Sequence, residues 1–395
     1  MRVLHINKYF FLQGGAEKAY FTFDGLLRRA GHETIHLAMA EPRNRPSPWS
    51  DYFVSEVRHD RPAWHPDSWK AALRTLGAGV AGSVRRIVRD ARPDVALIHN
   101  AYHQLGQPAL MDTLAELGVP TVHVLHDYKP ICGTHDLLRN GQPCFECAGG
   151  AFWHAAKYGC GGGHGHGLLL ALEAYLQRPR YERLDIVTAP SHFLIDKAHE
   201  MGFSRDIRLL RNPVDIREAI ERPDLGVAVG FAGRLAREKG LEVLLAAAER
   251  LPEVQFRIAG SGPLGESVER ARPSNVTLLG QLDSGKLEAE MRTWRCAVVP
   301  TISFENCSYA VLEACAMGLP VIGTGVGGTP ELLEGCGVLV PPADAGALTA
   351  AIGDAWGDAE RLRAMGAACH ARVRDEFSPE QCLAQLERLL REVTA

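Results

Sequence analysis

Short apolar runs alternate with helix-period segments twice along this chain of 395 residues, and that alternation leaves few folds open. In the first series, residues 2–6, 34–38, 95–99, 121–125 and 186–189 read as strands. The segments 16–30 and 107–117 read as helices, as does the stretch from a Ser191 cap through residue 201. In the second series, strands are expected at 227–232, 255–259, 276–279, 296–299, 320–323 and 338–340. Helices are expected at 240–250, 264–271 and 286–292. Apolar runs of this kind, each followed by a helix, belong to parallel strands buried on both faces. The expected class is therefore α/β with two parallel sheets, and the length suits two domains. The boundaries expected are 1–210, 211–377 and a closing segment 378–395, with Asn212-Pro213-Val214-Asp215 and the polar stretch after it as the linker. The closing segment is amphipathic through Leu383, Leu386, Leu389, Leu390 and Val393.

A net charge of −4 speaks against a nucleic-acid partner. The residues before 206 are slightly basic, which would suit an anionic partner or a membrane surface, although ordinary surface scatter accounts for it as well. No run approaches the ~18 apolar residues of a spanning helix. The opening MRVLHINKYFF reads as a buried strand rather than a secretory leader, so a cytoplasmic protein is expected, with the inner face of the cell membrane as a further option.

The chemistry concentrates at strand ends, where parallel sheets place their ligands. After the strand ending at Ala232, Gly233 permits close backbone approach, and Arg234 and Lys239 bring two cations to a helix entrance. A diphosphate needs such charges, and a leaving diphosphate needs them more. The stretch from Thr301 to Glu331 reads TISFENCSYAVLEACAMGLPVIGTGVGGTPE. Glu305 falls on the loop after a strand, and Glu313 about two turns into the next helix. Their carboxylates can accept hydrogen bonds from sugar and ribose hydroxyls. Gly14 and Gly15 open the first helix and let backbone N–H groups approach an anion. His126-Asp127 follows the strand 121–125, and His123 within that strand reads as a core histidine.

Taken together, GRLxxEKG at 233–240, Glu305-x7-Glu313 and GGxxE at 327–331 resemble the retaining glycosyltransferases of family 4. The resemblance covers nearly the whole chain. It implies the GT-B fold, with two Rossmann-like domains whose parallel sheets face across a cleft. It also implies a UDP- or GDP-sugar donor held mainly by the second domain, a glycan or lipid-linked acceptor held mainly by the first, and no catalytic metal. Arg234 and Lys239 would bind the diphosphate, Glu305 the sugar hydroxyls and Glu313 the ribose. Gly14 and Gly15 would approach the phosphates and His126 would face the sugar. Asn306 is counted with the donor-binding residues, and the last helix would return to pack on the first domain. The segment Asn306-Cys307-Ser308 departs from the Gly-Phe-Gly of many members and resembles a Glu-Asn-Cys-Pro subgroup with Ser308 in place of proline. The role implied is surface polysaccharide or glycoconjugate biosynthesis. A sugar-nucleotide epimerase and a non-catalytic nucleotide-sugar-binding protein are the competing readings.

Cys132, Cys144, Cys147 and Cys160 form C-x11-C-x2-C-x12-C in an insert at about 130–165. A structural zinc is the sharpest reading of these thiols, with free thiols or a disulfide as alternatives. The glycine-rich residues 159–167 would need such an anchor. Residues 41–70, with Trp49, Trp64 and Trp69, read as a long irregular excursion whose tryptophans suit a lipid surface, a sugar face or ordinary packing.

Overall fold

The computed structural model describes residues 1–57, 66–216 and 225–395, which form two compact units. The first comprises Met1–Pro213 with Cys382–Ala395, the second Val214–Gln381.

The first unit contains strands β1 (Arg2–Ile6), β2 (Glu33–Leu37), β3 (Val95–Ile98), β4 (Thr121–Val124), a minimal hairpin of β5 (Leu138–Arg139) and β6 (Gln142–Pro143), β7 (Ile186–Ala189) and β8 (Ile207–Leu209). Its helices are α1 (Gly15–Arg29), α2 (Pro66–Thr75), α3 (Ala81–Ala91), α4 (Gln107–Glu116), α5 (Trp153–Lys157), α6 (His164–Tyr181) and α7 (His192–Glu200). Six strands form one parallel sheet in the order β2-β1-β3-β4-β7-β8. Strand alternation sorts its side chains onto two buried faces. Leu4, Ile6, Ile35, Leu37, Ala96 and Ile98 join one core. Val3, Val95, Leu97, Val122 and Val124 join another with Phe23 and Leu27 of α1.

The second unit contains β9 (Ala228–Ala232), β10 (Gln255–Ala259), β11 (Val276–Gly280), β12 (Trp294–Val299), β13 (Val321–Thr324) and β14 (Val338–Val340). Its helices are α8 (Leu241–Glu249), α9 (Gly265–Ala271), α10 (Ser284–Met291), α11 (Tyr309–Ala316), α12 (Thr329–Leu333), α13 (Ala345–Gly357) and α14 (Ala359–Phe377). The sheet is again parallel, ordered β11-β10-β9-β12-β13-β14. Phe231, Phe256, Ile258 and Val298 face one core, and Ala228, Ala297, Val299 and Val321 the other. Trp294 is fully buried over Gly230, where any Cβ would run into its ring.

Both sheets match the α/β expectation, and Ser191 caps α7 by accepting from the Leu194 N–H at 3.2 Å. Residues 159–167 differ from the reading as a loop in want of an anchor. Helix α6 begins at His164 and runs through Pro179. Gly167 lies against the carbonyl of Ala155, where a Cβ would collide, so glycine permits α5 and α6 to touch. The excursion at 41–70 is partly ordered: Met39 bridges Val54, residues 50–52 form a helical turn, and α2 begins at Pro66. Trp49 packs against the cores around Phe10 and Val54, Trp69 is exposed, and Trp64 lies outside the described residues.

Helix α15 (Pro379–Thr394) closes the chain. Its Cys382, Leu386, Leu389 and Leu390 complete the core formed by Val3, Phe23 and Val122 of the first unit. His32 and Glu387 meet at 2.9 Å, and Arg211 N–H donates to Gln385 at 3.2 Å. Leu390 has no exposure. Leu390→Ala is expected to cost about 2–5 kcal/mol of stability from transfer and cavity terms together. Urea denaturation checks this, and a loss well under 1 kcal/mol would show that the helix end is not part of that core (~1 kcal/mol being typical of an average point mutation).

Candidate active site

In the second unit, strand order reverses direction between β9 and β12, and the loops after these two strands carry the charged residues. The crevice at the carboxyl ends beside such a reversal is where open parallel sheets bind ligands. After β9 the backbone runs through Gly233 and Leu235 to a 3-10 turn, Arg237–Lys239, and Gly240 starts α8 in the left-handed region at φ 70°. A Cβ there would strike the Pro300 carbonyl, so glycine brings this loop against the end of β12. Thr301 ties the same seam, its hydroxyl donating to the Glu238 carbonyl at 2.9 Å, and the Ile302 N–H donates to that carbonyl at 2.9 Å.

These contacts bring Lys239 onto Glu305: the ammonium donates to Oε1 of the carboxylate. The Glu305 side chain is only 15% exposed. Burial pushes its carboxyl up, but the Lys239 charge and hydrogen bonds from Lys239, Ser308 and Thr301 outweigh it and hold the group below its ordinary value. Ser308 sits at the N-cap of α11 without using its side chain as a cap. The residue that departs from the proline pattern thus serves Glu305 rather than the helix. Gly327 and Gly328 fit under the backbone of Glu305 and Asn306, with Gly328 N–H donating to the Glu305 carbonyl at 2.6 Å. Asn306 is buried and Glu313 is half-buried on α11. Arg234 points elsewhere: it pairs with Glu238 and its side chain stays 66% exposed. The 260–262 turn packs on this loop, with Gly260 against the Gly233 carbonyl and Leu235 N–H donating to Ser261 at 2.9 Å.

In the first unit the corresponding reversal lies between β1 and β3. Gly14 and Gly15 are exposed at the start of α1, and the Asn7 amide after β1 holds the Tyr9 carbonyl at 2.8 Å and Glu17 at 3.3 Å. His126 stands two residues beyond β4, with its Nε2 at 2.7 Å from His99 Nδ1. Burial lowers His126 to about 4 and His123 to about 3, so both are neutral at ordinary pH. His123 is buried in β4 against Tyr181, a core position. The neighbouring Asp127 accepts from the Tyr102 hydroxyl and from the Lys129 N–H at 3.0 Å.

The zinc reading of the cysteine insert finds no support. Among the described residues, no three His, Cys, Asp or Glu side chains are arranged to hold a metal ion, and Cys132, Cys144, Cys147 and Cys160 are free thiols. Burial, and then the neighbouring thiols of Cys132, Cys144 and Cys160, push Cys147 up to about 11. The insert has other anchors. Phe152, Ala155, Ala171 and Ala174 pack together with Cys147 and Cys160. Lys129 donates to Glu173 at 2.7 Å and to the Gly133 carbonyl at 2.8 Å, and both side chains are buried. Burial raises the Glu173 carboxyl, but Lys129 and His103 outweigh it and hold the group far below its usual range. Neither Lys129 nor Glu173 belongs to any sequence pattern; only their pairing 44 residues apart marks them.

Two doubly wound parallel units, with a lysine–carboxylate couple at the strand reversal of the second, define the class of GT-B glycosyltransferases. The match to known proteins makes this specific. Residues 13–218 match the model described as Glycosyltransferase Family 4, and residues 226–358 that described as Glycosyl transferases group 1. The chain belongs to glycosyltransferase family 4 and is a glycosyl-transferring enzyme. It is 31% identical over 223 residues to a 2-deoxystreptamine N-acetyl-D-glucosaminyltransferase of Streptomyces fradiae, covering 50% of this chain and 52% of that protein. It is 26% identical over 393 residues to a glycogen synthase of Mycobacterium tuberculosis, covering 92% and 87%. Among solved structures, a sucrose-phosphate synthase from Thermosynechococcus elongatus shares the fold with a TM-score of 0.74 at 18% identity, covering 99% and 98%. Anabaena HepE in complex with UDP-glucose gives 0.69 at 18% identity, covering 99% and 100%. Among the described residues, no helix is long and apolar enough to cross a membrane.

The neutral histidines make stability depend on pH. An unfolded histidine takes up its proton near pH 6.5, whereas His123 resists to about 3. A folded value below the unfolded one gives stability that is complete above pH ~6.5 and lost as pH falls toward the folded value. Each pH unit across that window should remove about 1.4 kcal/mol for His123 alone. Urea midpoints measured at pH 7.5, 6 and 5 should fall in that order; a flat series would mean that the folded protein already binds those protons.

Proposed function

We propose that this enzyme transfers a sugar, with retention at the anomeric carbon, from a UDP- or GDP-sugar to a glycan or lipid-linked acceptor. Surface polysaccharide or glycoconjugate biosynthesis is the process this would serve. The observation that carries the reading is the Lys239–Glu305 couple at the β9/β12 reversal. Lys239, with Arg234, neutralises the diphosphate, and does so most when negative charge develops on the leaving nucleotide. Glu305, held ionised by its neighbours, accepts hydrogen bonds from sugar hydroxyls. Asn306 lies beside it, and Glu313 takes the ribose. The first unit receives the acceptor, with Gly14 and Gly15 approaching phosphate and His126 hydrogen-bonding the transferred sugar. A nucleotide-sugar donor is supported by neighbours solved with UDP and UDP-glucose, and a glycan acceptor by a Staphylococcus aureus TarM mutant solved with fondaparinux, α-GlcNAc-glycerol and UDP. Relatives named for colanic acid biosynthesis support the process. We place the enzyme in the cytoplasm, at the inner membrane face when its acceptor is lipid-linked.

A panel of UDP- and GDP-sugars, with nucleotide release as the readout, tests the donor. Lys239→Ala should lower kcat by about 10²–10³-fold, the usual loss on removing a group that stabilises developing charge. Glu305→Ala should abolish acceptor-free release. Wild-type turnover in either variant would refute the assignment, and interconversion of the free donor would instead identify an epimerase.

A further inference from the structure

Three histidines in the first unit form a continuous row. His5 lies in β1, His99 directly after β3 and His126 just beyond β4. His5 Nε2 is 2.8 Å from His99 Nε2, and His99 Nδ1 is 2.7 Å from His126 Nε2. The rings of His99 and His126 stack at 4.9 Å with 14° between their planes, and Tyr20 covers His5 at 4.0 Å. His5 and His99 have no exposure. At the far end, Oδ1 of Asp24 on α1 is 3.6 Å from His5 Nδ1. That is too long for a hydrogen bond but close enough for a carboxylate to choose between an N–H and a lone pair.

Burial lowers the pKa of all three histidines, so each is a neutral imidazole with one N–H and one lone pair. A row of such rings joined nitrogen to nitrogen has two self-consistent arrangements. In the first, the protons sit on His5 Nδ1, His99 Nε2 and His126 Nε2. In the second, they sit on His5 Nε2, His99 Nδ1 and His126 Nδ1. Only the first turns an N–H toward Asp24; the second aims a lone pair at it. Asp24 is ionised: burial raises its carboxyl, but His36 and His5 outweigh it and hold the group well below its usual range. His36 Nε2 lies at 2.8 Å from Oδ1, and Arg28 Nε at 3.2 Å from Oδ2. The other groups that act on the row include His123 beside His99, and Lys8 and Asp127 at the His126 end.

We propose that Asp24, acting through His5 and His99, fixes His126 as its Nε2–H tautomer, so that His126 Nδ1 keeps its lone pair and accepts a hydrogen bond from a hydroxyl of the sugar. The tautomer follows from the row itself; its consequence for catalysis rests on the assignment of His126 made above. Asp24, His5 and His99 are positioning residues. Asp24 has the role that a buried carboxylate plays behind any histidine whose ring must keep one orientation and one tautomer, here relayed across two further rings.

Long-range ¹H–¹⁵N correlation spectra of the ¹⁵N-histidine-labelled full chain read each tautomer directly, with His5→Gln, His99→Gln and His126→Gln providing the assignments. The expected wild-type pattern is His5 Nδ1–H, His99 Nε2–H and His126 Nε2–H. Asp24→Asn removes the negative charge and should give a new population with His126 Nδ1–H. It should also lower kcat for nucleotide release by about 10–100-fold, the usual effect of losing an orienting partner, with KM nearly unchanged. A wild-type His126 that carries its proton on Nδ1 overturns the proposal, as does a folded Asp24→Asn protein whose His126 keeps the wild-type tautomer. If Asp24→Asn does not fold, the wild-type pattern alone decides. Absence of turnover with every sugar nucleotide would defeat the transferase assignment while leaving the tautomer result to stand or fall on its own.

Discussion

Lys239 and Glu305 are 66 residues apart in sequence and in direct contact in the second unit. Much of the local backbone exists to make that contact feasible. Gly240 lets one loop lie on Pro300, and Gly327 and Gly328 let another lie under Glu305 and Asn306. Thr301 joins the seam from both sides, donating to Glu238 and accepting from the Thr324 hydroxyl at 2.6 Å through its carbonyl. The contact satisfies two charges that the fold half removes from water, an arrangement that is costly unless each charge has a partner. A ligand that parted the two would have to present hydroxyls to the acid and negative charge to the ammonium. A sugar joined to a diphosphate does so.

The first unit handles polarity differently. Its strand ends carry buried histidines that remain neutral because desolvation disfavours their cations. Some charges that enter this unit are paired, Lys129 with Glu173 and Asp24 with Arg28, whereas the buried Arg74 guanidinium donates to carbonyl oxygens and the Ser55 hydroxyl. The Lys129–Glu173 pair also helps to hold the insert after β4. Its hydrogen bonds fix the loop to α6, and the small residues of α5 and α6 allow those helices to pack closely.

The layered architecture was legible because strand and helix periods are local properties: short apolar runs such as residues 95–98 and 321–324, set between turn residues, read as strands buried on both faces, and they are. Helix α6 was not legible, since Gly165, Gly167 and Pro179 argue against a helix by propensity, and its tertiary contacts with α5, α4 and Lys129 override that preference. Of the site residues, Lys239 and Glu305 stood out by motif and the fold brings them together. Arg234 stood out equally and turns to Glu238 instead. The cysteine spacing suggested a metal, but spacing says nothing about where thiols point, and among the described residues no three such side chains are arranged to hold one.

By itself the sequence determined the class of fold, the strand ends at which chemistry would concentrate, and the family to which those motifs belong. Each depends on residues near one another along the chain or on backbone conformations that only glycine adopts readily. Tertiary structure alone decided the rest: that Ser308 supports Glu305, that Lys129 pairs with Glu173, and that His5, His99 and His126 line up behind Asp24. The histidine row depends on which strands lie side by side in a parallel sheet. Adjacency of β1 with β3 and of β3 with β4 places nitrogens 94 and 27 residues apart within hydrogen-bonding distance, and no local pattern encodes that.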